Sequence, residues 1–182
     1  MIGKVYSAAV TGIYAVPVEV QADVAPGIPY FELTGNLAGT TKEAKERVRI
    51  AIKNSKFQIN PSKITINMIP ANIRKEGTSY DLAVAVAVLT AVGVIAAKKV
   101  SGALFIGELG LDGGICNVSS ILPMTLCARD NGFTICYVPM GNVGEASLVT
   151  GIRVIGISSL RECVDYINNG CNCRAHVDNN ID

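Results

Sequence analysis

The sequence predicts one α+β domain, a two-layer α/β sandwich whose first half is rich in strands. Three observations predict this class. The chain has 182 residues, of which 49% are hydrophobic and 17% charged, a size and composition typical of a single globular core. Its first part places apolar residues at alternate positions, as half-buried strands do. In its second part, short apolar runs typical of strands alternate with segments whose apolar residues have helical spacing, a pattern typical of mixed α and β structure.

Strand composition dominates the beginning of the chain. Residues 4–10 and 14–22 are predicted to form a hairpin across Thr11-Gly12, and residues 30–34 a third strand after a turn at 25–29. In the second strand three valines alternate with polar residues and proline, which indicates that one face is buried and the other solvated.

A charged helix is predicted next. Thr40 or Thr41 is expected to cap it, and apolar residues at three- and four-residue spacing carry it to about Ser55. Its other face holds Lys42, Lys45, Arg47, Arg49 and Lys53, offset only by Glu43 and Glu46. This face is either a solvated surface laced with i,i+4 ion pairs or a basic strip that contacts a partner domain or DNA.

The rest of the chain alternates strands and helices. Strands are predicted at 63–69, 103–111, 134–138 and 153–157, and helices at 81–95, 118–131, 142–149 and 159–168. Asp112-Gly113 is a tight-turn signal that ends the second of these strands. The domain is therefore predicted to cover residues 1–168, and the polar stretch 169–182 to be a linker.

Charge and composition exclude several classes of protein. The net charge of +1 provides no general field to attract nucleic acid, so any DNA contact must be local. No signal peptide is evident, and the apolar run 82–97 is shorter than the roughly 20 residues that span a bilayer, which predicts a cytoplasmic protein without a membrane segment.

The six cysteines are predicted to be free thiols. Cys116, Cys127, Cys136 and Cys163 lie in apolar stretches, where a reduced cysteine behaves as a small hydrophobe. The remaining two, Cys171 and Cys173, form a C-x-C-x2-H cluster with His176, which has no obvious fourth zinc ligand. A solvated tail is the favoured interpretation, so no metal site is predicted.

Several ordered blocks resemble one family. They are Lys42-Glu43-Ala44-Lys45-Glu46-Arg47-Val48-Arg49, Ala51-Ile52-Lys53-Asn54-Ser55, Lys63-Ile64-Thr65-Ile66-Asn67, Arg74-Lys75-Glu76-Gly77, Tyr80-Asp81-Leu82, Phe105-Ile106-Gly107-Glu108-Leu109 and Leu111-Asp112-Gly113. Over about residues 1–168 the chain resembles the N-terminal domain of the magnesium-chelatase-like AAA+ ATPases of the ComM group. That domain in turn is similar to the Lon protease domain, a fold also found in a small-subunit ribosomal protein.

The resemblance implies a role for the chain. In the family an AAA+ module follows this domain, binds ATP and Mg²⁺, and drives a homo-hexameric motor for DNA branch migration. The resemblance therefore implies a non-catalytic accessory domain that assists assembly or DNA engagement, with the linker 169–182 leading to the AAA+ module. DNA binding by this chain alone is expected to be weak.

The Lon comparison also identifies a candidate nucleophile. Lon-type proteases carry Lys-Asp-Gly-Pro-Ser-Ala-Gly, and the segment from Lys75 to Asp81 places Ser79 at the nucleophile, although Thr78 replaces the proline and bulkier residues follow the serine. The catalytic lysine of that family falls on Leu122. Lys75 is expected to be solvated, with a pKa of about 10.4, so its amine would be too basic to accept the serine proton at pH 7. Ser79 is therefore predicted to be an N-cap or turn hydroxyl, and the alternative is a Ser79-dependent peptidase that uses Lys75 as base.

Other chemistries have less support. The sole histidine, His176, lies in the tail, which argues against a Ser-His-Asp triad. The sole Gly-Lys pair, Gly3-Lys4, lacks the upstream glycine of a phosphate-binding loop, so no cofactor site is predicted in this chain. Four acids could form a Mg²⁺ site or serve as turn and cap residues: Glu76, Asp81, Glu108 and Asp112.

Overall fold

The structure is a computed structural model, and it describes residues 1–170 and the backbone of residues 176–178. The strands in these residues are β1 (Ile2–Thr11), β2 (Tyr14–Pro26), β3 (Tyr30–Thr34), β4 (Ser62–Ile69), β5 (Ala103–Phe105), β6 (Glu108–Leu109), β7 (Ile115–Cys116), β8 (Ile135–Pro139), β9 (Arg153–Ile157) and β10 (His176–Asp178). The helices are α1 (Gly39–Lys42), α2 (Ala44–Asn54), α3 (Asp81–Ala91), α4 (Ala97–Val100), α5 (Ile121–Asp130), α6 (Val143–Ala146) and α7 (Leu160–Asn169), and a 3₁₀ turn covers Met140–Asn142.

A mixed sheet forms the centre of the molecule. Eight strands follow the order β10-β9-β8-β5-β1-β2-β4-β3. The predicted hairpin is confirmed: β1 and β2 pair antiparallel with Val5 opposite Val20. β5, β8 and β9 run parallel to β1, and β3 is an edge strand parallel to β4. The short strands β6 and β7 form a separate hairpin.

The two faces of the sheet bury two apolar clusters. Ala103 and Phe105 of β5 face the larger cluster under α2, α3 and α7, while Leu104 between them faces a second cluster under α5 and α6. Every residue of α3 is buried, because α3 lies between the sheet and other helices. The α+β class is confirmed. The second helical layer, with α5 mainly against β1 and β2 and α6 against β8 and β9, goes beyond a two-layer sandwich. The strands β5, β8 and β9 are apolar on both faces because both faces are covered.

Most predicted elements are present, although the helices predicted at 81–95, 118–131 and 142–149 are shorter, at Asp81–Ala91, Ile121–Asp130 and Val143–Ala146. Two other elements are broken where one continuous element was predicted. Instead of one strand at 103–111, the chain leaves the sheet after Phe105, and the amides of Ile106 and Gly107 bond Tyr137 and Ser79. Instead of one helix from Thr40 to Ser55, α1 and α2 meet at Glu43. The predicted threonine cap is wrong.

Thr41 has a different role. Its hydroxyl is buried and lies 3.1 Å from the carbonyl of Lys75 and 2.9 Å from that of Gly77. It therefore ties α1 to the segment before α3, a contact that a local capping pattern cannot reveal.

Four cysteines are free thiols as predicted, but one of them does not lie in the interior. Cys127, Cys136 and Cys163 are buried, whereas Cys116 is exposed at the end of β7. The side chains of Cys171, Cys173 and His176 lie outside the described residues. Among the helices of the described part, none is long and apolar enough to cross a bilayer.

Candidate functional site

Lys75 lies between β4 and α3, and its side chain is fully buried. Its ammonium donates to the carbonyls of Gly35 at 2.7 Å and Met68 at 3.2 Å, and also to that of Pro70. The expectation of a solvated lysine is therefore wrong, because three backbone carbonyls converge where water was expected. Burial lowers the pKa of Lys75 from its ordinary value, while the three carbonyl acceptors favour the charged form.

Ser79 lies in a turn just before α3. Asp81 donates its backbone N–H to Thr78 at 3.2 Å, and Gly107 donates to the carbonyl of Ser79 at 3.0 Å. The N-cap residue of α3 is Tyr80, which forms no side-chain cap. Of the two roles predicted for Ser79, the N-cap role is therefore wrong, whereas its position in a turn agrees with the other. The first turn of the helix is instead held by a backbone bond from Leu82 to Gly107.

The structure does not assemble a Ser-Lys dyad from the predicted residues. All three hydrogen bonds of the Lys75 ammonium go to backbone carbonyls and none to Ser79. Leu122, at the position of the family's lysine, packs against the apolar cluster under α5, whereas α3 belongs to the cluster on the opposite face.

A buried ion pair joins α2 to α3. The Arg47 guanidinium donates from Nε to Asp81 Oδ2 at 2.7 Å and from Nη2 to Oδ1 at 3.0 Å. The Asp81 side chain is 0% exposed and also accepts the backbone N–H of Leu109 at 3.1 Å. Burial raises the pKa of Asp81, and the Arg47 bonds and charge offset part of that rise. Arg47 therefore links the helices and faces away from the predicted strip.

The other three acids have separate partners. Glu76 pairs with Arg74 at 3.1 Å, Glu108 accepts the Thr78 hydroxyl, and Asp112 accepts the backbone N–H of Gly114 at 2.8 Å. Among the described residues, no three His, Cys, Asp or Glu side chains are placed to hold a metal ion. The structure thus favours ion-pair and turn roles over a Mg²⁺ site.

Gly3-Lys4 does not fit a phosphate site. The pair lies within the extended strand β1, and a Cβ atom on Gly3 would stand 2.1 Å from the carbonyl oxygen of Ala87. The glycine is therefore needed for close packing of β1 on α3. An extended strand cannot wrap its amides around a phosphate, so no nucleotide chemistry is assigned to these residues.

The exposed face of α2 borders a groove of about 1050 Å³. Lys45, Arg49 and Lys53 line it, together with Lys56 just beyond the helix. These four residues form the basic rim of the groove. Lys42 lies on α1 and does not line it. The structure therefore brings three of the five predicted basic residues to one groove and adds a fourth that the strip did not include.

The floor of the groove is apolar. It consists of half-buried Phe31, Phe57 and Ile59 and buried Ile52 and Ile64. These residues come from α2, β3, β4 and the connection between α2 and β4, so no local pattern reveals them as one surface. The sole sequence signal is the spacing of Phe57 and Ile59, two apolar residues at alternate positions directly after a charged helix.

The chain is similar to known proteins over most of its length. The family model described as subunit ChlI of Mg-chelatase matches residues 20–142. An uncharacterized protein of Mycobacterium tuberculosis is 35% identical over 166 residues, which cover 91% of this chain and 33% of that protein. The competence protein ComM of Haemophilus influenzae is 33% identical over 164 residues, 90% of this chain and 32% of that protein. An uncharacterized protein of Escherichia coli, YifB, is 36% identical over 147 residues, 81% of this chain and 29% of that protein. The chain thus spans about a third of the length of these relatives.

Proposed function

The chain belongs to the family of the Mg-chelatase subunit ChlI and its ComM-like members, and from that membership we propose that it is a non-catalytic accessory domain of a larger AAA+ ATPase. In this proposal the domain assists assembly or DNA engagement by the parent protein. The parent is a homo-hexameric motor for DNA branch migration, and its ATP and Mg²⁺ are bound by an AAA+ module outside these residues.

The observation that supports the non-catalytic role is the hydrogen bonding of the buried Lys75 ammonium. A general base must offer a lone pair within hydrogen-bond reach of the serine hydroxyl. The Lys75 nitrogen donates to three carbonyls, and its lone pair becomes available only when a proton is lost and one of these bonds is given up. The segment that Lon-type enzymes use for catalysis therefore acts here as a structural link between the ends of β3 and β4 and the start of α3.

Two assays test the accessory role. Incubation with casein and a fluorophosphonate probe is expected to give neither cleavage nor labelling of the wild-type chain, with Ser79→Ala as the matched control. Titration with mant-ATP is expected to show no micromolar binding. Labelling that disappears in Ser79→Ala contradicts the proposal. So does micromolar binding of mant-ATP by a chain that has been purified by gel filtration.

DNA engagement leads to a separate prediction. With a net charge of +1, the basic rim can supply only weak contacts to phosphate, so the isolated domain should bind a four-way junction with Kd of roughly 10⁻⁴ to 10⁻⁶ M. Binding should be insensitive to sequence and steeply reduced by salt. Lys45→Glu combined with Arg49→Glu should abolish it.

Gel shifts at about 50 mM salt, where phosphate contacts are strong, measure this. The matched control is Lys98→Glu with Lys99→Glu, which changes charge equally on exposed positions of α4. Nanomolar binding by the wild-type chain contradicts the expectation of weak contacts. Unchanged binding in the α2 double variant removes the basic rim as the contact surface.

A further inference from the structure

The groove beside α2 is large enough to hold several side chains of a partner. Its volume of about 1050 Å³ lies just above the roughly 300–1,000 Å³ that is typical of ligand pockets. It has two chemically distinct parts, since the basic rim lies above a floor of Phe31, Phe57, Ile59 and neighbouring isoleucines. A partner that fills it must present negative charge and apolar surface together.

The charges of the basic rim are largely unneutralised. Within the described part of the chain, Lys45, Lys53 and Lys56 have no carboxylate within ion-pair distance, and Arg49 pairs with Glu46 at 3.0 Å. Four cations thus line the groove with one carboxylate. This imbalance favours an anionic partner over a neutral or basic one.

The backbone conformation of Lys56 also favours an anionic partner. Its φ is +65°, in the left-handed region that favours glycine, directly after the C-cap of α2 at Ser55. Glycine would fit the backbone better there. The lysine instead places a fourth ammonium at the end of the groove.

The aromatic rings of the groove favour a peptide over single-stranded nucleic acid. Base stacking needs free ring faces. Here the Arg161 guanidinium lies 5.0 Å from the centre of the Phe57 ring, and the Lys63 ammonium lies 6.0 Å from the centre of the Tyr30 ring. A cation thus lies near one face of two of the three aromatic rings that line the groove, which leaves fewer free faces for base stacking. The isoleucines of the floor, Ile52, Ile59 and Ile64, can pack against apolar side chains but cannot stack bases.

We propose that this groove binds an acidic peptide segment that carries large apolar side chains, the carboxylates lying against the basic rim and the apolar side chains on the floor. The inference rests on the accessory role and names the chemistry of its partner. It assigns a docking function to the basic rim and the floor of the groove that is independent of the Lys75 and Arg47–Asp81 contacts.

Fluorescence anisotropy of the full chain tests the proposal with a labelled synthetic peptide in which Glu and Asp alternate with Leu and Phe. Three probes serve as controls: the same peptide with Lys at every acidic position, the same peptide with Ser at every apolar position, and an oligothymidylate. The acidic apolar peptide should bind, and each control probe should bind at least about tenfold more weakly, because it loses either the charge contacts or the floor.

Variants separate binding from folding. Lys56→Gly relieves the left-handed backbone, so its melting temperature should stay the same or rise, while its peptide affinity should fall about threefold or more through the lost charge. Lys45→Glu with Lys53→Glu should weaken binding at least about tenfold, whereas Lys98→Glu with Lys99→Glu should keep it within about twofold.

Four results would overturn the inference: no binding of the acidic apolar peptide, equal binding of the serine-substituted peptide, tighter binding of oligothymidylate, or equal weakening by the α4 control. If the chain binds no peptide and the fluorophosphonate does not label it, the docking proposal for the groove fails and the accessory role stands. Ser79-dependent labelling removes the accessory role whatever the peptide does.

Discussion

Removal of Arg47 should expose the energetic role of the buried pair between α2 and α3. Arg47→Met keeps most of the side-chain length but leaves the Asp81 carboxylate, which is 0% exposed, with only the backbone N–H of Leu109 as partner. Loss of one partner of a buried ion pair costs about 3–5 kcal/mol, because the remaining charge stays desolvated. Since the Leu109 bond remains, we expect about 3 kcal/mol at pH 8.

The effect should depend on pH with a definite sign. Burial raises the pKa of Asp81 above its ordinary value, and Arg47 opposes that rise, so the folded-state pKa should rise further in Arg47→Met. A carboxyl whose pKa is higher in the folded state stabilises that state as pH falls through the folded value, by up to about 1.4 kcal/mol per pH unit. The deficit of the variant should therefore shrink between pH 8 and pH 5.

Urea unfolding followed by circular dichroism at the two pH values measures both quantities. Arg49→Met is the matched control, since its surface pair with Glu46 has side chains 58% and 61% exposed and should contribute no more than about 0.5 kcal/mol. A loss below about 1 kcal/mol at pH 8, or a deficit that grows as pH falls, would refute the reasoning about a desolvated carboxylate.

Three further predictions concern the interior. Lys75→Met should lower the free energy of unfolding by about 3 kcal/mol, since the carbonyls of Gly35, Met68 and Pro70 lose their donor and that of Met68 is buried; a urea midpoint equal to that of the wild type contradicts this. Gly3→Ala should lower the free energy of unfolding by at least about 2 kcal/mol, because its Cβ meets the backbone of α3 at 2.1 Å. Gly144→Ala, with open space around it, should keep a free energy of unfolding within about 1 kcal/mol of the wild type in the same urea experiment. At pH 8, iodoacetamide mapped by mass spectrometry should label exposed Cys116 well before Cys136, whose pKa burial raises to about 12; equal rates in the native state contradict the buried assignment.

Local sequence patterns were sufficient for much of the secondary structure. β3 and β9 have the predicted bounds, and α3 begins at the predicted Asp81. The β1–β2 hairpin turns at Gly12-Ile13, one residue beyond the predicted Thr11-Gly12. These features depend on alternation, turn residues and helical spacing within a few residues of each other. The family was also predicted from blocks of the sequence alone, and the family model and relatives confirm the family.

The candidate sites were decided by contacts between distant segments. Arg47 and Asp81 are 34 positions apart, so the strip pattern on α2 could not show that one of its five cations faces inward. The same holds for Lys75, whose polar sequence context predicts exposure although carbonyls from two strand ends enclose it.

The groove illustrates the physical reason. The spacing of Lys45, Arg49 and Lys53 on one helix determined by itself that a basic face exists. Only the packing of α2 on β3 and β4 placed an apolar floor beside that face. Side-chain charge is a property of the sequence, whereas the surface that a charge shares with other residues is set by tertiary contacts.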